Sequence, residues 1–190
     1  MADAPVLQII LGSTRPGRVS PAIGEWFAAI AREHGGFTVE VVDLKEVNLP
    51  FFDEPGHPML GKYEHEHTKR WSEIVKRADA FVFVMPEYNH GYSAVIKNAI
   101  DFLHHEWSNK PIGFVSYGGV SAGTRGVQLL KPTLTALKMV PIPESINIPG
   151  FQAHFDDNGS FTGAEGLPAA CNAMLDSLQS WTETLASRRS

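Results

Sequence analysis

Apolar positions along the chain switch repeatedly between two patterns, short runs of consecutive apolar residues and longer stretches spaced three and four residues apart. Residues 6–11, Val-Leu-Gln-Ile-Ile-Leu, are apolar but for Gln8 and stop at Gly12, as expected of a strand covered on both faces of a parallel sheet. Ile23, Trp26, Phe27, Ile30 and Ala31 then share one helical face; Ser20 is the expected N-cap, Pro21 stands at the first helical position and Gly35-Gly36 ends the helix. A second strand is predicted over 37–43. The stretch 44–62, carrying Pro50, Pro55, Gly56, Pro58 and Gly61, reads as a long irregular connection of a length that is often functional. Trp71, Ile74, Val75 and Ala78 mark a second helix, residues 80–85 a fully buried third strand closed by Pro86, and Val95, Ile96, Ala99, Ile100 and Leu103 a third helix. A fourth strand follows over 112–117, and Val127, Leu130, Leu134 and Leu137 give a fourth helix in which Pro132 predicts a kink or break. Residues 140–148 contain Pro141 and Pro143, which places that strand at the sheet edge; 149–166 is a loop, and Leu167, Cys171, Met174, Leu175, Leu178, Trp181 and Leu185 form the apolar stripe of a last helix.

No repeat at solenoid period is present, and five strands alternating with five helices predict one α/β domain over 1–190. The expected architecture is a flavodoxin-like doubly wound five-stranded parallel sheet in the order 2-1-3-4-5. Composition agrees: 190 residues with 43% hydrophobic and 19% charged suit a single globular domain with a sizeable core. Sixteen Lys plus Arg against 21 Asp plus Glu give a formal charge of −5, so no basic surplus exists for nucleic acid or an anionic membrane, and any phosphate ligand must meet a local site. The apolar runs fall far short of the roughly 18 residues of a membrane-spanning helix, and the first five residues lack a secretion-signal pattern. A lone cysteine, Cys171, cannot form an intrachain disulfide, in keeping with a reducing cytoplasm.

In such sheets ligands bind beyond the carboxyl ends of the strands at the point where strand order reverses. That singles out residues 12–20, 86–92 and 116–123. The first, Gly12-Ser13-Thr14-Arg15-Pro16-Gly17-Arg18-Val19-Ser20, runs straight into a helix N-terminus, whose free N–H groups attract an anion. Ser13, Thr14 and Ser20 supply hydroxyls there and Arg15 or Arg18 supplies charge; equally, the segment reads as a plain polar loop. It lacks the Gly-Lys-Ser/Thr ending of a Walker loop and the Gly-x-Gly-x-x-Gly dinucleotide fingerprint. Asp43, at the end of the second strand, reads as a strand-end carboxylate more readily than as a ribose ligand.

The second segment, Pro86-Glu87-Tyr88-Asn89, leads into a helix carrying Lys97-Asn98-Ala99-Ile100-Asp101. Together with the Gly-Ser-x-Arg start of residues 12–15, in this order and spacing, it resembles the NADPH-dependent FMN reductase family, whose flavodoxin-like members include quinone, azo-dye and chromate reductases. Ser93 departs from the pattern, since relatives often carry proline there. The resemblance implies FMN as cofactor and NADPH or NADH as cosubstrate. Phosphate would be bound by Ser13, Arg15 and Ser20 with the backbone of Val19, and the ring by Pro86, Glu87, Tyr88 and Asn89, with Asn89 nearest its O4/N5 side. Tyr117, Gly118 and Gly119 would border the pyrimidine edge and ribityl chain. Electrons would pass to a small-molecule acceptor by ping-pong turnover, with no side chain obliged to act as acid or base. A homodimer or homotetramer is also implied, with flavin near the subunit boundary. On the residues themselves a flat apolar shelf at Pro86, Tyr88 and the Gly91 turn suits a flavin ring, although Tyr88 and Tyr92 equally read as packing aromatics.

Other residues draw attention for less. His65 and His67 are expected to point to different sides of a helix and so to hold no metal, and His104-His105 has the same weakness. His105 or Trp107 is expected to pack or hydrogen-bond at a subunit face. Cys171 reads as a small buried hydrophobe, and no Gly-x-Ser-x-Gly elbow favours a hydrolase. Alternatives to a reductase are a flavin-binding electron-transfer or redox-sensing module with a protein partner, and a flavin-free response module, which would need a phospho-acceptor carboxylate after the third strand, where no Asp sits.

Overall fold

The apolar runs become the strands of one parallel sheet, β1 Val6–Leu11, β2 Thr38–Asp43, β3 Ala80–Pro86, β4 Pro111–Gly118 and β5 Val140–Pro149, ordered β2-β1-β3-β4-β5. The structure, a computed structural model, describes residues 4–189; the start of the chain, residues 1–3, and Ser190 lie outside the described residues. Among the described residues six α-helices accompany the strands: α1 Ser20–His34, α2 Leu44–Val47, α3 Glu66–Lys76, α4 Ala94–Asp101, α5 Thr124–Ala136 and, after the last strand, α6 Leu167–Leu185.

Side chains alternate across the sheet and divide the core into two layers. Leu7, Ile9, Leu11, Val82 and Val84 face α1 and α6, meeting Ile23, Phe27, Met174 and Leu178. Phe81, Phe83, Met85 and Phe114 face the other way, toward Trp71 of α3, Ile96 and Ile100 of α4 and Leu130 of α5. Every residue of β3 is buried, as its continuous apolar sequence demands, whereas β2 and β5 at the edges are half covered.

Several expectations change in detail. Ser20 is the first helical residue of α1; Val19 occupies the cap position, and no side chain caps this terminus. Pro132 does not break α5, because it removes a single backbone hydrogen bond near the end of a helix already held by buried Val127, Leu130 and Leu134. His65 precedes α3 instead of lying on it, so its ring stacks on that of His67 with centroids 5.2 Å apart, and both approach Asp53. Trp107 is fully buried in the core, its indole N–H donating to the Ile100 carbonyl, rather than presented at a surface.

The long connection after β2 is pinned by side chains. Asn98 on α4 donates to the Pro50 carbonyl at 2.7 Å and accepts from the Phe52 amide at 2.9 Å. Buried Glu54 accepts from the Glu64 and His65 amides, and the Tyr63 hydroxyl donates to buried Glu106.

Lys110 is buried at the far end of the sheet, donating to the Val75 and Lys76 carbonyls at the end of α3, with its ammonium 5.5 Å from the Phe81 ring centroid. Burial lowers its pKa from 10.5 to about 8. Between those values the unfolded chain binds the proton that the folded chain has released, so this group's contribution to stability rises with pH across that window. Urea denaturation of the wild type and of Lys110→Met is expected to show the difference moving in favour of the wild type from pH 7.5 to pH 10; parallel pH profiles would contradict it.

Candidate active site

Three loops converge at the carboxyl ends of β1, β3 and β4. Gly12 opens the first with its amide on the Val84 carbonyl at 2.8 Å, and a Cβ there would lie 2.2 Å from Ile96 Cδ1, so a larger residue would displace the Ile96 side chain of α4. The buried Ser93 hydroxyl donates to the Gly12 carbonyl at 2.6 Å. Serine at this position thus makes a tie that proline could not.

Arg18 braces the loop from within. Its guanidinium donates to both carboxylate oxygens of Asp43 at 2.5 Å and to the Ser13 carbonyl at 2.9 Å. Burial would raise the Asp43 pKa, but the bonds from Arg18 and the Lys45 amide hold it below the usual carboxylate range. Asp43 therefore serves the loop and the cap of α2 rather than a ribose. With Arg18 neutralised, Arg15 is the exposed cation on this loop.

What remains of the loop is rich in unused donors. The N-terminus of α1 has no capping side chain and no acidic residue in its first turn, and the buried Ser20 hydroxyl makes no hydrogen bond of acceptable geometry. Free N–H groups, an orphaned hydroxyl, a helix dipole and one exposed guanidinium are the donor set that a phosphate monoester requires. The residues present fit the phosphate of FMN.

The second loop is a two-residue turn. Tyr88 and Gly91 exchange both backbone hydrogen bonds at 2.9 Å, and Asn89 and His90 between them take φ of 49° and 67°, as a tight hairpin turn requires. A left-handed His costs about 1 kcal/mol or more, a strain of the kind that gathers at functional sites. The Tyr88 ring is 38% exposed while its hydroxyl is anchored 2.8 Å from Ser13 Oγ, so an aromatic face is held at the surface beside the anion loop.

In the third loop the Ser116 hydroxyl donates to the Ala122 carbonyl, drawing residues 118–123 back over β4. Tyr117 is buried edge-on to Phe151 with centroids 5.2 Å apart. Burial and the neighbouring Tyr88 phenol raise its pKa, so it stays protonated throughout the neutral range.

Ser13, Arg15, Val19, Pro86, Glu87, Tyr88, Tyr117, Gly118 and Gly119 line a single open cleft of about 270 Å³. Ser20 lies buried at the start of α1 and Asn89 stands at the exposed tip of the turn. Phe151 and Gln152 also line the cleft and were not singled out from sequence; the signal available was the Pro149-Gly150 turn directly after β5. Larger hollows, of about 690 and 610 Å³, lie against α4 and α5 and at the Lys110 end of the sheet. Size alone does not mark the site; the donor set does.

A parallel sheet in this order, with an anion loop after β1 and an aromatic turn after β3, defines a flavodoxin-like protein. A solved flavoenzyme NAD(P)H:(acceptor) oxidoreductase from Paracoccus denitrificans shares this fold, with TM-score 0.73 and 23% identity over 95% of this chain and 98% of that one. The chain belongs to the NADPH-dependent FMN reductase family, whose model matches residues 6–153, and is an oxidoreductase. It is 44% identical over 141 residues to an NAD(P)H-dependent FMN reductase of Schizosaccharomyces pombe, covering 73% of this chain and 70% of the relative. A quinone reductase of Pseudomonas putida is 26% identical over 191 residues, covering 96% and 97%.

The two arginines of the anion loop are expected to behave differently. Arg15→Glu should weaken FMN binding at least about tenfold with an unchanged thermal midpoint, since the side chain is exposed and faces like charge on the ligand. Arg18→Ala should weaken binding and also destabilise the fold by about 2 kcal/mol, because it strands the part-buried Asp43 carboxylate. Fluorescence-quenching titration and thermal melting separate the two, and equal behaviour would remove the distinction.

Proposed function

We propose that the chain is an FMN-dependent NAD(P)H oxidoreductase that passes electrons to a small-molecule acceptor by ping-pong turnover. The observation that carries this reading is the meeting, in one cleft, of Ser13, Arg15 and Val19 at the uncapped α1 N-terminus with the exposed Tyr88 ring, the Ser20 hydroxyl lying buried at the start of the same helix. Bound FMN supplies hydride acceptance at N5 and onward electron transfer, and the protein supplies binding and orientation. Ser13, Ser20, Arg15 and the Val19 backbone hold the phosphate. Pro86, Glu87, Tyr88 and Asn89 hold the ring through the turn they form, and Tyr117, Gly118 and Gly119 permit close approach along its other edge.

A cleft of about 270 Å³ open to solvent supports a ring covered on one side and free on the other. NAD(P)H and the acceptor would therefore take turns on the same open face, which is the physical basis of ping-pong kinetics. Chemistry confined to the ring needs no acid or base from the chain, and we assign none. The likeness to a quinone reductase over nearly the whole chain supports a quinone as one acceptor, alongside azo dyes, metal oxyanions such as chromate, and free flavin. Phe51, Met59 and Leu60, exposed by 87, 53 and 67%, support self-association as a homodimer or homotetramer. The formal charge of −5 speaks against nucleic acid as a partner. Among the described residues no helix is long and apolar enough to cross a membrane, and work in the cytoplasm accords with a buried lone Cys171 whose thiol burial pushes up to about 12.

Anaerobic addition of NADPH to the FMN-loaded protein is expected to bleach the visible flavin absorption rapidly, with a quinone restoring it, and double-reciprocal plots at several quinone concentrations are expected to be parallel. Bound flavin that NADPH fails to bleach would replace the reductase with an electron-transfer module, and intersecting plots would overturn the alternating scheme.

A further inference from the structure

The Glu87 side chain is only 7% exposed, and its partners all lie on the neighbouring β4–α5 segment. One carboxylate oxygen accepts from the Ser121 hydroxyl at 2.8 Å and from the Arg125 guanidinium at 3.2 Å; the other accepts from the Arg125 amide at 3.1 Å, and the Gly126 amide is a further donor. Helix α5 starts after Gly123 with no capping side chain and no acidic residue in its first turn. Glu87 thus caps α5 from 38 residues away in sequence, placing a negative charge on the positive end of the helix.

A second contact joins the same two segments. A Cβ on Gly126 would lie 3.1 Å from the Gly91 carbonyl oxygen and 3.3 Å from the Tyr92 nitrogen, so the first turn of α5 meets the aromatic turn backbone to backbone. Burial alone would raise the Glu87 pKa, but the bonds from Ser121, Gly126 and Arg125 hold it below the usual carboxylate range. The group is therefore ionised at neutral pH and keeps every one of these acceptances.

We propose that Glu87 is a positioning residue that fastens the 86–91 turn to the 118–126 segment, so that the two sides of the ring-binding cleft keep a fixed separation. This rests on the flavin reading above. The resemblance places Glu87 among the residues at the ring; its carboxylate bonds join the two loops that border the cleft. Glutamine is a poor substitute here, since its NH2 group would face N–H and O–H donors where a second oxygen now accepts them.

The test uses Glu87→Gln, with Ser121→Ala as a milder variant that removes one donor and leaves the carboxylate in place. Hydrogen exchange on the apo protein is expected to show Arg125, Gly126 and the 118–123 amides losing protection in Glu87→Gln, while the amides of β3 and of α1 keep theirs. FMN affinity, by fluorescence quenching, is expected to fall about tenfold in Glu87→Gln and less in Ser121→Ala. The visible circular dichroism of bound flavin, which reports the asymmetry of the ring's surroundings, should diminish even where thermal midpoints match. Unchanged protection would overturn the fastening. Lost protection with unaltered FMN affinity and dichroism would overturn the positioning role. A wild type that binds no FMN would overturn the flavin reading and with it any role toward the ring, while the exchange data would still decide the coupling of the loops.

Discussion

The reciprocal hydrogen bonds between Tyr88 and Gly91 force Asn89 and His90 into left-handed conformations, and the side chains flanking this turn reach both neighbouring loops. Tyr88 bonds Ser13 and Ser93 bonds Gly12 on one side; Glu87 bonds Ser121 and Arg125 on the other. The turn follows β3, the strand buried along its whole length, so it stands on the stiffest part of the sheet. A strained turn persists when its surroundings over-determine it, and here a buried strand and side-chain ties to both adjoining loops do so.

Charge is arranged with similar economy. In a chain of net charge −5 an anionic ligand gains nothing from the overall field, so attraction has to be local. Pairing Arg18 with Asp43 spends one positive charge on loop shape, and the carboxylate that might repel a phosphate is neutralised by the same contact. In the proposed reading the phosphate is met instead by exposed Arg15, by the uncapped N-terminus of α1 and by the Ser20 hydroxyl. Shape and attraction are thus assigned to different arginines three residues apart.

Much of this was legible in the sequence. Continuous apolar runs ending in Gly12 and Pro86 marked two-face-buried strands and hence the sheet order, and the Gly-Ser-x-Arg and Pro-Glu-Tyr-Asn segments marked the loops at the switch point. What could not be read was partnership across long sequence distance. That Asp43 would pair with Arg18, that Glu87 would cap α5, or that Phe151 and Gln152 would close one side of the cleft depends on which elements pack together, and local pattern carries no record of it. Ser20 shows a different limit: its residue type fits an N-cap, but the backbone begins the helix one residue earlier and leaves the hydroxyl inside and unpaired. His65 shows a third, because the divergence expected of two residues on a helix fails once the first of them lies before the helix begins.

The central claim is that the loop after β1 holds FMN by its phosphate beside the aromatic turn. Parallel titrations of the apo protein with FMN and with riboflavin, followed by flavin fluorescence, test it most directly, since the two ligands share the ring and ribityl chain and differ only in the phosphate. FMN should bind at least about a hundredfold more tightly, as expected when a dianion meets a helix N-terminus and a guanidinium. Equal affinity for the two, or no binding of either, would contradict the account.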